Sequence, residues 1–317
     1  MTDGSRITAY NLRPLPGGPR IVSIGSFDGV HRGHQLLLQR AVDRARELRI
    51  ASAVVTFEPL PAMVLRSAQF SGRICTAEEK LRLLQASGCD DVMIVPFDME
   101  LAHQSPEQFL EWLATTTWMK ELWVGEAFAL GKNRVGDVAR IREAGQTLGF
   151  EVVAMPRLSN GGEVVSSSAI RSALLNGAVG TARELLGYPF RIAGEVIHGA
   201  HLGRTIGYPT ANVVPPDELV GLADGIYVSC AHLEHELSGR QAITYIGTRP
   251  TVNTGARLIE THVFDFDGDL YGQTFAVDFL ERLRGDQTFA GVDPLVAQLK
   301  KDEQAARSFF TQLSSKI

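Results

Sequence analysis

Hydrophobic positions change their period once along this chain, and the change divides it. In the first half, short apolar runs alternate with stretches whose apolar residues recur every three or four positions. The runs Ile21–Ile24, Ala51–Phe57, Asp91–Phe97, Glu121–Gly125 and Phe150–Met155 predict strands, and the continuously apolar one at 51–57 reads as buried on both faces. Between them, Leu36, Leu37, Leu38, Ala41, Val42, Ala45 and Leu48 keep helical spacing to about Arg49. Thr76 with Glu79 has the form of a capping box for a helix ending near Gly88. Ser105-Pro106, a cap and a first-turn proline, opens a helix through about Trp118, and Asp137–Leu148 is another. Strands and helices alternating in this way call for a doubly wound parallel sheet, which binds ligands at the carboxyl ends of its strands.

After Leu185-Leu186-Gly187 the helical period vanishes until about residue 292. Short runs replace it: Arg191–Val196, Gly225–His232, Ala242–Ile246, Glu260–Phe266 and Gln273–Leu280, separated by Gly, Pro and Asp. This is the pattern of an antiparallel sheet or small barrel, with Asp267-Gly268 read as a hairpin turn. From Pro294 a closing helix presents Leu295, Val296, Leu299, Phe309 and Phe310 on its apolar side. The expected fold is α/β plus β, in two domains, 1–186 and 187–317.

Composition narrows the class. The 317 residues, 44% apolar and 21% charged, suffice for two conventional cores. A net charge of −5 argues against a broad nucleic-acid surface. No run approaches the ~18 apolar residues of a membrane span, and the first residues lack the apolar core of a signal peptide. Three scattered cysteines fit a reducing compartment, so the expectation is a cytoplasmic protein with neither membrane nor nucleic-acid partner. Nothing in the sequence sets the oligomeric state.

The candidate chemistry begins with Gly25-Ser26-Phe27-Asp28-Gly29-Val30-His31-Arg32-Gly33-His34, placed between a strand and a helix. A helix N-terminus there offers unpaired N–H groups and partial positive charge to a phosphate. Gly25 and Gly29 let the backbone bend, Gly33 admits close approach, and His31 and His34 are spaced to share one helical face. The string resembles the nucleotide site of the HIGH-type nucleotidylyltransferases, in the form typical of bacterial riboflavin kinase/FAD synthetases. Gly125–Lys132 is not a Walker A loop: it has one residue too many between its glycines, and Asn133 stands where Ser or Thr must ligate magnesium. Val165-Ser166-Ser167-Ser168-Ala169-Ile170-Arg171 opens a helix to about Asn176. By itself it is a capping run; beside the first string it resembles the family's second phosphate clamp, formed by Ser167, Ser168 and Arg171.

In the second half, His198–Asn212 is glycine-dense enough to be only a mobile loop. Its ending, Gly207-Tyr208-Pro209-Thr210-Ala211-Asn212, resembles the riboflavin kinase signature. The resemblance makes Thr210 and Asn212 the holders of Mg²⁺ and nucleotide phosphates, with Gly203, Arg204, Gly207 and Pro209 in the loop that folds over ATP. Ile246-Gly247-Thr248-Arg249-Pro250-Thr251 follows. In Glu260-Thr261-His262-Val263-Phe264, Glu260 is either a partly buried carboxylate able to take a proton or an edge-strand glutamate facing water; the resemblance makes it the kinase base. Asp265, Asp267 and Asp269 fail as a calcium loop, since Gly268 comes too early and Ala276 occupies the closing position. Arg282, Arg284 and Asp286 lie in a stretch similar to the family's flavin and nucleotide loops, without individual roles.

Both halves thus resemble the bifunctional prokaryotic riboflavin kinase/FAD synthetases, which implies ATP, Mg²⁺, riboflavin and FMN as cofactors and substrates. The C-terminal half would phosphorylate riboflavin to FMN, and the N-terminal half would adenylylate FMN to FAD. The resemblance makes Glu260 the catalytic group of the kinase half and His31 and His34 those of the adenylyltransferase half, with Gly25, Phe27, Asp28, Gly29 and Gly33 shaping the adenylyl site. Leu60, Ala127, Ala129 and Leu130 depart from the family pattern, all at the first domain's active edge, so a kinase with a weakened adenylyltransferase half is the rival. Further alternatives are a flavin-binding protein without turnover and adenylyl transfer to another acceptor.

Overall fold

The computed structural model describes residues 6–9, 14–131, 134–199, 202–234, 236, 238–248 and 257–315. Lys132, Asn133, Ala200, His201 and Arg249–Thr251, named above, lie outside them. The chain divides into two compact units, residues 1–71 with 75–167, and 72–74 with 168–317.

The first unit is a six-stranded parallel sheet. Its strands are β1 (Arg6–Ala9), β2 (Arg20–Ile24), β3 (Ala51–Glu58), β4 (Asp91–Pro96), β5 (Met119–Gly125) and β6 (Glu151–Met155). Their order is β1-β4-β3-β2-β5-β6. The chain winds outward from β2 on one side and returns to its other side at β5, so the order reverses beside the carboxyl end of β2. Side-chain alternation sorts the faces. Val54 and Val92 pack with Leu37, Leu38, Val42 and Leu84 of helices α1 (Arg32–Leu48) and α2 (Ala77–Gln85). Val55, Met93 and Val95 pack against Phe109, Leu113 and Ile141 of α3 (Pro106–Thr117) and α4 (Val138–Leu148).

Local signals place the helix starts. The Ser105 hydroxyl accepts from Gln108 N, while the Gln108 side chain accepts from Ser105 N, a complete capping box. At Thr76 the hydroxyl accepts from Glu79 N, but the Glu79 carboxylate turns outward to Arg82, at 2.6 and 2.8 Å. A charged partner one turn on outcompetes the backbone N–H for that carboxylate.

In the second unit, helices α5 (Ser167–Leu175) and α6 (Val179–Leu186) lead into a closed antiparallel barrel. Only Ser167 of α5 belongs to the first unit. The barrel strands are β7 (Phe190–Ile197), β8 (Ala211–Val213), β9 (Gly225–Leu233), β10 (Arg240–Thr248), β11 (Arg257–Val263) and β12 (Thr274–Arg284). They close in the order β7-β8-β11-β10-β9-β12. Inside, the Ser229, Thr244 and Thr261 hydroxyls form a chain at 2.7 and 2.9 Å, all buried and all satisfied. Outside, Ile226, Val228, Ile243 and Leu280 pack under Ala306 and Phe310 of α7 (Val292–Ser314).

Three expectations change. Asp267-Gly268 is not a hairpin turn, because β11 and β12 are not neighbours in the barrel and Gly268 has no positive φ; the left-handed positions of that connection are Asp265 and Gly272. Strand β8, three residues long, and helix α6 had no predicted counterpart. Val179, Ala182, Leu185 and Leu186 of α6 are buried, and the helix packs on β7 and β12.

Candidate active sites

In the first unit, the glycine-rich string forms a compact turn above β2. The Gly25 amide donates to Val55 O at 3.1 Å, fixing the turn to β3. Phe27, with φ 49°, and Gly29, with φ 72°, reverse the chain through a buried turn at Asp28–Val30. His31 then caps α1: its Nδ1 accepts from the His34 amide at 3.4 Å. The two imidazoles stack at 3.6 Å between centroids, and the edge of Phe27 meets His34 at 5.1 Å. Gly33 lies against the His31 ring, where an added Cβ would sit 3.3 Å away. Burial, and then the neighbouring His31, hold the His34 pKa well below the usual histidine value, so His34 is neutral near pH 7. Its Nδ1 is buried with no hydrogen-bond partner among the described residues. The result is a helix N-terminus faced by two imidazoles, a geometry that receives anions through hydrogen bonds.

The serine run meets this turn through Ser167, whose hydroxyl donates to Asp28 O at 3.2 Å. Ser168 is exposed and Arg171 half-buried; both belong to the second unit, and Arg171 Nε donates to Gly72 O at 2.7 Å. Of the departures from the family pattern, Leu60 is buried at 1% exposure and Leu130 at 8%, whereas Ala127 is exposed. Leu130 helps line a cavity of ≈ 350 Å³ with Phe57, Phe97 and Phe109 and the basic groups Arg66 and Arg134. The sequence reading missed this cavity, since its residues come from separate elements.

The second unit holds two cavities that share Thr210. The first, ≈ 230 Å³, lies between the outer barrel wall and α7. Ile226, Ile243, Tyr245, Phe289, Leu295 and Leu299 make it apolar, and Glu260, His262 and Arg284 enter it. The second, ≈ 670 Å³, is lined by Arg204, Pro209, Thr210, Asp267, Asp269 and Tyr271. Gly203 lines the first cavity, while exposed Gly207 (φ 82°) and buried Asn212 line neither. Glu260 is 8% exposed, because β11 is an interior strand of the closed barrel; the edge-strand alternative is thereby overturned. It pairs in register with Asn212 on β8 and Tyr245 on β10.

The signature loop is held from both sides. His262 Nδ1 bonds Pro209 O at 2.8 Å, and the Tyr208 hydroxyl donates to Glu303 on α7 at 3.1 Å. Burial and the Glu303 carboxylate raise the Tyr208 pKa to about 12. Arg284 is fixed by both Asp302 oxygens, at 2.8–3.2 Å. Gly203 is required by contact: an added Cβ would lie 2.2 Å from Tyr208 O. Asn212 Nδ2 donates to Thr210 O at 3.3 Å, which orients the amide.

A glycine-rich turn capped by two imidazoles on a doubly wound sheet, and a barrel with adjoining apolar and polar cavities, have the form of a two-module enzyme. The FAD synthetase family model matches residues 17–169, and the riboflavin kinase family model matches 186–310. The Escherichia coli K12 bifunctional riboflavin kinase/FMN adenylyltransferase is 39% identical over 304 residues, spanning 95% of this chain and 96% of that protein. The Pseudomonas fluorescens protein of the same description is 38% identical over 301 residues, 94% and 95% of the two chains. A solved structure described as a macrolide-efflux protein from Streptococcus pneumoniae matches with TM-score 0.84 and 30% identity, over 96% of this chain and 99% of that one. The chain belongs to the bifunctional riboflavin kinase/FMN adenylyltransferase family. Both modules are matched, which favours two activities over the kinase-only alternative.

Proposed function

We propose a residue-level division of labour for the two transfers of this enzyme. The C-terminal module phosphorylates riboflavin to FMN, and the N-terminal module adenylylates FMN to FAD with release of pyrophosphate.

In the kinase, riboflavin occupies the apolar cavity and ATP the polar one. Thr210 is the observation that carries this reading, because it lines both cavities and so stands where a phosphoryl group must cross. Glu260, in the flavin cavity, accepts the proton of the attacking hydroxyl as the γ-phosphoryl group leaves ATP. Arg204 and the turn through Gly207 and Pro209 meet the nucleotide. The Thr210 hydroxyl and the Asn212 amide oxygen suit a hard cation that keeps several waters and takes its other ligands from phosphates. Mg²⁺ held there would neutralise charge on the transferring phosphates. Among the described residues no cluster of three His, Cys, Asp or Glu offers a rival metal site.

In the adenylyltransferase, an FMN phosphate oxygen attacks the α-phosphorus of ATP. The α1 N-terminus and the donors of His31 and His34 meet the developing charge, while Gly25, Phe27, Asp28, Gly29 and Gly33 set the turn. Ser167 anchors Asp28 O and, with it, that turn. The flavin of FMN is assigned to the aromatic cavity of Phe57, Phe97 and Phe109. We place the boundary between the catalytic modules at 186/187, with α6 packed on the barrel. We assign the enzyme to the cytoplasm on its cysteine usage, since none of Cys75, Cys89 and Cys230 is joined in a disulfide. Among the described residues no helix is long and apolar enough to cross a membrane.

The test is product separation after incubating purified protein with riboflavin, ATP and Mg²⁺, and again after chelation. FMN followed by FAD, both lost with the metal, is the expected result. FMN alone would overturn the adenylyl assignment, and neither product would overturn both.

A further inference from the structure

Helix α2 breaks its own pattern at Lys80. In Ala77-Glu78-Glu79-Lys80-Leu81-Arg82-Leu83-Leu84, the two buried residues are Lys80 and Leu84, one turn apart on the core face. A lysine at a core position is costly unless it is paired and hydrogen-bonded. Lys80 is both: at 1% exposure, its Nζ lies 2.7 Å from Glu58 Oε1, donates to Phe57 O at 2.7 Å, and reaches Ser26 O at 3.5 Å.

These partners lie in two loops of the active edge. Ser26 precedes Phe27, the left-handed residue that starts the turn toward His31. Phe57 and Glu58 end β3 and begin the Glu58-Pro59-Leu60-Pro61 turn, and Phe57 also lines the aromatic cavity. The Ser26 carbonyl takes a second bond from the Thr56 hydroxyl at 3.2 Å. The direction of that carbonyl sets the plane of the peptide entering Phe27, and with it the placement of both imidazoles.

We propose that the buried Lys80–Glu58 pair is a positioning device for adenylyl transfer, joining the phosphate-binding turn to the loop beside the aromatic cavity. The inference rests on the assignment of Gly25–His34 as the adenylyl-transfer site. Lys80 touches no substrate; it fixes the groups that do. An ångström of misplacement at such a site can cost on the order of 10²-fold in rate.

The full-length enzyme supplies its own control, because FMN formation reports on the other module. Lys80→Met should lower kcat for FAD formation from added FMN by ~10–10²-fold, with FMN formation from riboflavin within about twofold of the parent. It should also lower the thermal midpoint of the first unit, since the buried Glu58 carboxylate loses its ammonium partner at 2.7 Å. The double variant Lys80→Met, Glu58→Gln removes that charge and should regain much of the midpoint, while FAD formation stays slow because the Ser26 and Phe57 carbonyls still lack the Lys80 ammonium. If rate and midpoint recover together, the pair acts through stability alone and the proposal falls. His31→Ala in parallel separates the two failures. Unimpaired FAD formation in that variant would refute the site assignment, whereas loss there with full activity in Lys80→Met would refute only the positioning role.

Discussion

The two units handle the same ligand, ATP, with opposite constructions. The first gathers its proposed anion site from ten consecutive residues, Gly25 to His34, where the candidate groups are backbone amides and imidazoles, one of which burial keeps neutral. The second collects Thr210, Glu260 and Arg284 from separate places in a barrel, and buried hydroxyls and ion pairs hold them in register. The difference follows from the reactions. Displacing pyrophosphate at the α-phosphorus needs charge stabilisation, which a helix end offers locally. Phosphorylating an alcohol also needs a base aligned with a flat substrate, and that requires walls supplied by several strands and a helix.

The sharpest way to separate the two constructions is at the carboxylate. Glu260→Gln is expected to lower FMN formation by ~10²–10⁴-fold and to leave FAD formation from added FMN unchanged, as steady-state rates with each substrate will show. Next, His31→Ala should cut FAD formation by ~10²–10³-fold while FMN formation persists, because a preorganised donor and the helix cap are lost together. A mutation that silenced both reactions would contradict the independence of the sites.

A smaller effect concerns how the barrel wall is held. Arg191, Asp278 and His232 link β7, β12 and β9 at 2.6–3.2 Å. The hydrogen bond to Asp278, helped by one to Cys230, raises the His232 pKa to about 9. A histidine bound more tightly as its cation adds stability that is fully present below its unfolded value near 6.5 and fades as pH rises through about 9. The thermal midpoint of the barrel should therefore fall by roughly 2–4 °C more between pH 6.5 and 10 in the parent than in His232→Gln. The figure is modest because the imidazole is 29% exposed and screened by solvent. Differential scanning calorimetry of both proteins across that range provides the check.

The smallest expected change tests the departures from the family pattern. Ala127→Asn places a polar group on an exposed turn and should raise FAD formation by roughly twofold to tenfold, if the new hydrogen bond forms in the transition state. Leu60→His should instead lower the thermal midpoint without a gain in rate, because Leu60 is 1% exposed and an imidazole there must be desolvated. Comparing initial rates and melting curves of the two variants distinguishes a missing functional group from a repacked core.

Legibility followed locality. The Ser105-Pro106 cap, the helix stop at Trp118 and the turn to a β half after Gly187 were readable because each depends on neighbours a few residues away. Glu79 shows where that ends: the capping-box spacing was present, but Arg82 claimed its carboxylate. Strand β8 escaped because three residues are too few to show alternation, although they carry the Asn212 of the signature. The Asp267-Gly268 turn misled because its dipeptide suits a hairpin, while the strand order that excludes one is set by the whole barrel.

By itself the sequence determined the two architectures and placed a contiguous glycine-rich turn between the first strand of its α/β half and the helix after it, since periodicity, caps and short motifs are written in adjacent residues. Tertiary structure alone decided that Glu260 faces a cavity rather than water, that Thr210 stands between two cavities, and that Lys80 lies beneath an active edge. Those facts depend on which strands become neighbours when the sheet winds and the barrel closes, and no local window of sequence contains that pairing.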